Sequence, residues 1–309
     1  MNPADQHPPL LFSLDDHPLL VPLCRELAAT LGTLETRLFP DGETYLKVAI
    51  PVAGHHCIVV ANLANPNDKL LPLIFLLETL RELGASSVGL VAPYLCYMRQ
   101  DCRFHNGEAV TSRLFARLLS THIDWLVTVD PHLHRYHSLA DIYTVPSVRV
   151  EGTTALTDWL TNQSSLLLIG PDSESEQWVS RVALASGHPY VIGEKQRHGD
   201  RDVVVTLPDL AGYQDRTAVI IDDVISSGQT ILKCLQAVRQ QGISRVKCAA
   251  IHGIFADRVD ELLLQSGLTE LATCNTIPHA TNCIDVTPLL VPAIQRCSGI
   301  GGNQGSGNR

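Results

Sequence analysis

The sequence reads as an α/β protein in which mainly parallel sheets are flanked by helices, in two successive units. Three observations lead there. Short apolar runs rich in β-branched residues recur along the 309 residues. Amphipathic segments of helical period separate several of them. A second strand–helix series begins near Val150–Thr153. Strand–helix–strand alternation of this kind gives parallel sheets covered on both faces.

In chain order the strand runs are HCIVVA (56–61), SVGLVAP (87–93), WLVTVD (125–130), SLLLIG (165–170), DVVVTL (202–207), AVIIDD (218–223) and RVKCAAI (245–251). Each is short and nearly continuous, as a strand buried on both faces requires. The clearest helix spans Asp68–Leu83, with Leu70, Leu71, Ile74, Leu77, Leu80 and Leu83 on overlapping faces. A second runs from Gly228 to Gln241 and is stopped by Gly242. The length suits two domains. These are residues 1–151 and residues 152–297, followed by a Gly/Asn/Ser-rich tail, 298–309, expected to be flexible. The halves are similar in length, but no residue-level repeat proves a duplication.

Composition narrows the function. With 23 basic and 32 acidic residues the formal net charge is -9, which argues against a nucleic-acid partner. An acidic chain that takes an anionic substrate must gather its cations locally or recruit metal ions. The nine cysteines are scattered without a Cys-x-x-Cys pair, so they read as reduced thiols of a cytoplasmic protein and not as a zinc site. No apolar run reaches the length of a membrane span.

The strongest local signal is AVIIDDVISSGQTI, residues 218–231. An apolar strand ends in Asp222 and Asp223, a loop of small residues follows, and a helix begins. Ligands of open α/β sheets bind beyond the carboxyl ends of the strands. The residues Ser226, Ser227, Gly228, Gln229 and Thr230 would offer backbone N–H groups and hydroxyls to one phosphate, at the positive end of the new helix. Two adjacent carboxylates suit ribose hydroxyls beside that phosphate, or a metal ion held through its waters. The segment is neither a Walker loop nor a dinucleotide fingerprint.

This loop resembles the ribose 5-phosphate loop of type I phosphoribosyltransferases and of ribose-phosphate diphosphokinases, the phosphoribosyl pyrophosphate synthetases. Other segments favour the second family. Phe39-Pro40-Asp41-Gly42-Glu43 resembles its Phe-x-Asp-Gly-Glu, which implies ATP-binding roles for Phe39, Asp41 and Glu43, contributed by a neighbouring subunit. Read alone it is a tight turn opening a strand. Asn65-Pro66-Asn67-Asp68 resembles the family's helix start, where Asn67 or Asp68 can act as a cap. Pro93 to Asp101 closely resembles the family's Pro-Tyr-x-x-Tyr-x-Arg-Gln-Asp. Arg99 can meet phosphate in a bidentate fork, while Gln100 and Asp101 can bond adenine and ribose. Asp130-Pro131-His132 resembles an Asp-x-His whose histidine meets Mg-ATP, so His132 implies a metal or phosphate contact. His134 and His137 carry no such implication. Pro171-Asp172 resembles the family's Pro-Asp near the ribose and a metal. Lys195-Gln196-Arg197 resembles the catalytic Lys-x-Arg, whose cations two apart in extended chain point to one side. His252–Phe255 and Asn275–Pro278 add smaller structural matches. The likeness runs from about residue 10 to 295 with its motifs in the family's order.

The resemblance implies two tandem type I phosphoribosyltransferase-like domains. The first carries ATP and oligomer contacts and the second the ribose 5-phosphate loop. It implies ATP and ribose 5-phosphate as partners, Mg²⁺ as cofactor, a homo-oligomer, and diphosphoryl transfer to the C1 hydroxyl with release of AMP. Departures bear on this. Ser173-Glu174-Ser175-Glu176 replaces a usual Gly-Gly pair and is expected to narrow the pocket edge at Asp172. Ser226 stands where much of the family is acidic. Gln229 replaces a loop glycine, which is awkward if its φ is positive. Two alternatives remain: a non-catalytic regulatory paralogue, or a phosphoribosyltransferase that consumes the product.

Overall fold

The computed structural model describes residues 7–133, 135–197 and 203–300, with backbone alone for 195–197 and 203. His134 and the part of the tail beyond 300 lie outside the described residues. Contacts divide the chain into two compact units. The first comprises Met1–Glu151, Thr276–Pro278 and Thr287–Arg309, as far as described. The second comprises Gly152–Asn275 and His279–Val286.

In the first unit, β1 (Leu10–Phe12) leads through α1 (Leu20–Glu26) to β2 (Thr30–Leu31). An antiparallel ribbon follows, β3 (Leu34–Leu38) and β4 (Thr44–Val48). The chain then re-enters the sheet as β5 (His56–Val60), α2 (Asn67–Glu82), β6 (Ser87–Ala92), α3 (Thr111–Ser120), β7 (Trp125–Val129) and β8 (Ser147–Val150). The six-stranded order is β2-β1-β5-β6-β7-β8, all parallel. Cys57, Val59, Leu90 and Leu126 from the strands meet Leu73, Leu76, Leu77 and Leu80 of α2 in one core, which explains the leucine repeat along that helix.

The second unit repeats this path. It runs α4 (Thr153–Thr161), β9 (Leu166–Gly170), α5 (Glu176–Ser186) and β10 (Tyr190–Ile192), then a second antiparallel ribbon of β11 (Glu194–Arg197) and β12 (Val203–Thr206). Next come β13 (Thr217–Ile225), α6 (Gln229–Gln240), β14 (Val246–Gly253), α7 (Val259–Gln265), β15 (Glu270–Cys274) and β16 (Asn282–Ile284). The order β10-β9-β13-β14-β15-β16 is again all parallel. In both sheets the order in which strands are added therefore reverses at one place, between β1 and β5 in the first and between β9 and β13 in the second.

Three details differ from the sequence reading. The DVVVTL run enters the ribbon, not the central sheet, because its partner Glu194–Arg197 precedes it by a short connection. Helix α2 has Pro66 at its N-cap with no side-chain cap bond. Asn67 instead accepts a hydrogen bond from the Tyr97 hydroxyl. The helix α8 (Thr287–Ser298), read with residues 152–297, packs in the first unit on β7, β8 and α1, burying Leu290, Ala293 and Ile294. Among the described residues no helix is long and apolar enough to cross a membrane.

Candidate active site

The reversal in the second sheet places the ends of β9 and β13 side by side, and each end carries acids. Strand β13 is buried from Ala218 to Ile221 and delivers Asp222 and Asp223 at the rim. The loop beyond is only Ser226, Ser227 and Gly228 before α6 begins at Gln229. Gly228 is left-handed, with φ 65°. A Cβ there would meet Val259 Cγ2 at 2.5 Å, so both backbone and space require glycine. Gln229 is the first helical residue and is not among the positive-φ residues, so its side chain causes no backbone strain. The loop is braced from α7's side. Ile254 N and Phe255 N donate to Ile225 O at 2.9 and 3.2 Å, and Ala256 N donates to Ser226 O at 3.1 Å. That brace holds Phe255, Asp257 and Arg258 left-handed, a cost of the kind found at functional sites.

Asp222 has a little accessible surface, but its carboxyl lies deep. Burial pushes its pKa well above the carboxylate range, and the nearby charges of Asp223 and Asp172 push the same way. The Asp223 N–H, donating to Asp222 Oδ1 at 3.0 Å, opposes this weakly. Asp172 stands just past β9 and caps the 3₁₀ turn 173–175, accepting from Ser175 N at 3.2 Å. Ser175 is buried, and its Oγ donates to Asp172 O at 2.5 Å. Ser175 thus packs inward beneath Gly170, where a Cβ would meet its Oγ at 2.5 Å. The four residues in place of a Gly-Gly pair form a capped turn, with Ser173, Glu174 and Glu176 exposed. Lys195 and Arg197 lie on β11, opposite Val205 and Val203. Their side chains lie outside the described residues.

In the first unit the Pro93–Asp101 segment leaves β6 and turns through a left-handed Tyr97, φ 59°. Tyr97 is tied down by Asn67 and by the Phe115 ring, 5.0 Å away. Arg99 is exposed and Gln100 partly so, whereas Asp101 is buried, 3.4 Å from Arg135. The backbone carbonyl of Asp101 also accepts from the Tyr136 hydroxyl at 3.2 Å. His132 follows left-handed Asp130, φ 32°, whose carboxylate receives Arg149 Nη2 at 2.9 Å and Nε at 3.2 Å. Arg149 and Arg135 carry no signal in the sequence because each acts on a partner distant in the chain. Phe39–Glu43 forms the exposed tip joining β3 to β4. Glu43 N donates to Asp41 Oδ1 at 3.2 Å, and Arg37 stacks 4.5 Å from both the Phe39 and Tyr45 ring centres.

Known proteins match both halves of the chain. Residues 10–122 match the N-terminal domain of ribose phosphate pyrophosphokinase, and residues 151–288 match the phosphoribosyl transferase domain. The ribose-phosphate pyrophosphokinase of Methanopyrus kandleri is 33% identical over 90% of this chain and 95% of its own. The chain belongs to the ribose-phosphate pyrophosphokinase family. A second member, from Sulfolobus acidocaldarius, is 32% identical over 85% of this chain and 91% of its own. The crystal structure of phosphoribosylpyrophosphate synthetase from Mycobacterium smegmatis superposes with a TM-score of 0.79 at 24% identity, covering 93% of this chain and 98% of that one, and so shares the fold.

Among the described residues no group of three or more His, Cys, Asp or Glu side chains is arranged as a cage for a metal ion. Asp172, Asp222 and Asp223 stand near one another at the strand ends, by the loop after β13. Their hard oxygen donors suit an ion that keeps waters and shares substrate oxygens.

Proposed function

We propose that the chain transfers the β,γ-diphosphoryl group of ATP to the C1 hydroxyl of ribose 5-phosphate. The observation that carries this is the short glycine-hinged segment Ser226–Thr230 directly after β13, the strand that presents Asp222 and Asp223. In the reaction the C1 oxygen bonds to the β-phosphorus. The bond from that phosphorus to the α,β-bridging oxygen breaks, AMP leaves with the oxygen, and the hydroxyl proton passes to solvent. Phosphoryl transfer of this kind depends mostly on positioning and charge stabilisation.

The loop N–H groups and the hydroxyls of Ser226, Ser227 and Thr230 hold the 5-phosphate. Asp222 and Asp223 accept from ribose hydroxyls. Arg99, Gln100 and His132 of the first unit take ATP. Phe39, Asp41 and Glu43 of a neighbouring copy join them, and Asp101 acts by holding that segment in shape. Lys195 and Arg197 meet the transferred group and stabilise its charge. Mg²⁺ would be held, largely through water, by Asp172, by the Asp222–Asp223 pair and on the ATP side by His132; when bound it neutralises phosphate charge. Asp222, raised first by burial and further by the charges of Asp223 and Asp172, is a group that a cation relieves.

A homo-oligomer fits the ribbon β3–β4, two strands long and exposed, with Leu38 68% and Phe39 37% accessible; so small a sheet gains from a partner. A cytoplasmic location fits nine cysteines that are all free. The test is AMP formation from ATP and Mg²⁺, with and without ribose 5-phosphate, for wild type and Lys195→Ala. Ribose-dependent release that collapses in the variant is expected. No release from folded, ATP-binding protein would overturn the reading in favour of a non-catalytic paralogue.

A further inference from the structure

The two units share a path as well as a strand order. In each, an antiparallel ribbon is inserted between the edge strand and the strand that resumes the sheet: β3–β4 before β5, and β11–β12 before β13. In each, the order in which strands are added reverses next to the strand that follows the ribbon, and such reversals open a crevice beyond the strand ends. In the second unit that crevice carries the loop after β13. In the first unit the same position holds a cavity of about 250 Å³. Its walls come from the end of β1, the end of β5, the first turns of α2 and the overhanging ribbon.

The chemistry of this cavity differs from that of its counterpart. Where β13 carries an acid pair that begins three residues before its end, β5 runs on to Ala61 and Asn62, so no adjacent carboxylate pair calls for a metal. Lys69, half-buried, lines the cavity and makes no ion pair among the described residues. Arg37 reaches it from the ribbon. Asp15 and Asp68 add acceptors at the wall. Pro72 lines the same wall and has no N–H, so the Asp68 carbonyl lacks its usual intrahelical donor. That leaves a backbone acceptor suited to a hydroxyl or amino donor. Leu63 and Leu73 supply an apolar surface.

A ligand that satisfies all of these has one phosphate for Lys69 and Arg37, hydroxyls for Asp15 and the Asp68 carbonyl, and a flat apolar portion. We infer that the first unit binds a nucleoside monophosphate, without metal, in the crevice between the ends of β1 and β5. It is a second nucleotide site, separate from the segments assigned to catalysis.

The experiment is equilibrium dialysis of AMP in excess EDTA against wild type, Lys69→Met and Ala61→Leu. Photolabelling with 8-azido-AMP and peptide mapping accompany it. Wild type is expected to show an EDTA-resistant AMP site, with label in 59–73, a stretch that holds none of the residues assigned to ATP. Lys69→Met, which removes one charge-assisted contact, should bind roughly ten- to a hundredfold more weakly. Ala61→Leu should lose the site by filling it. Lys69→Met lies on a half-exposed surface, and a wild-type melting temperature establishes that it folds. Binding that is absent, indifferent to both variants, or labelled elsewhere overturns the inference. Ribose-dependent AMP release from the same preparations reports separately on the proposed activity.

Discussion

Replacing Gly228 with alanine tests how the loop after β13 keeps its shape. Two costs can be worked out. An L-residue held at φ 65° costs about 1–2 kcal/mol. The new Cβ would lie 2.5 Å from Val259 Cγ2, against about 3.5–4.0 Å for a relaxed carbon contact, and overpacking of this kind costs about 1–3 kcal/mol. Together, roughly 2–5 kcal/mol is a large share of a domain's total of about 5–15 kcal/mol. The loop, which is short and solvent-edged, gives way before the β13–α6 core does. The expected outcome is a KM for ribose 5-phosphate at least tenfold higher, with a melting temperature only a few degrees lower. Adding Val259→Ala should recover the overlap share and not the dihedral share, so the double variant recovers KM in part. Gly212→Ala, where nothing lies within 4 Å and φ is not positive, is the neutral control. Ribose-dependent AMP release and calorimetry read both quantities. An unchanged KM and melting temperature in Gly228→Ala would refute the argument.

Three further outcomes follow from the charges. Asp222 has a folded pKa raised by burial, so its contribution to stability is full below the ordinary carboxylate range near 4 and is lost as pH rises through the folded value. Asp222→Asn should therefore melt higher than wild type at pH 8 in EDTA while losing turnover; a lower melting point would contradict this. Buried His17 has its pKa lowered to about 4, first by desolvation, so its contribution is present above about 6.5 and lost as pH falls to about 4, a span of roughly 3 kcal/mol. His17→Leu should flatten the acid limb of urea-derived stability against pH. Arg149→Met removes both bonds to Asp130, and since Arg149 is 47% exposed the cost is modest, about 1–2 kcal/mol. Its KM for ATP should rise if Asp130 orients His132.

The readable parts of this protein were those governed by local pattern. The helix 67–82 was legible from its leucines, although its core face is Leu73, Leu76, Leu77 and Leu80 while Leu71 and Leu83 are exposed. AVIIDD lies in the sheet's central strand. The Gly228 hinge was legible as part of a small-residue loop, although the positive φ falls on Gly228 and leaves Gln229 helical. Strands such as Leu10–Phe12 and Thr30–Leu31 are too short to show a period, and only their parallel partners define them. Asp101 reads as a ligand from its motif, while its burial beside Arg135 and Tyr136, more than thirty residues on, is visible only in the structure. Asn67 reads as a cap, yet Tyr97 claims its side chain. Roles set by a partner far along the chain leave no local signature.

The position of α8 has a consequence for synthesis. The first unit takes its last helix from Thr287–Ser298, which buries Leu290, Ala293 and Ile294 against β7, β8 and α1. On the ribosome the first 151 residues emerge early and must wait, with that face uncovered, until the rest of the chain has been made. The second unit, begun later, has all its strands by Ile284. The half that is born first is thus finished last. A chain stopped short of residue 287 would spare the loop after β13 and leave the other half as the species that chaperones and proteases recognise.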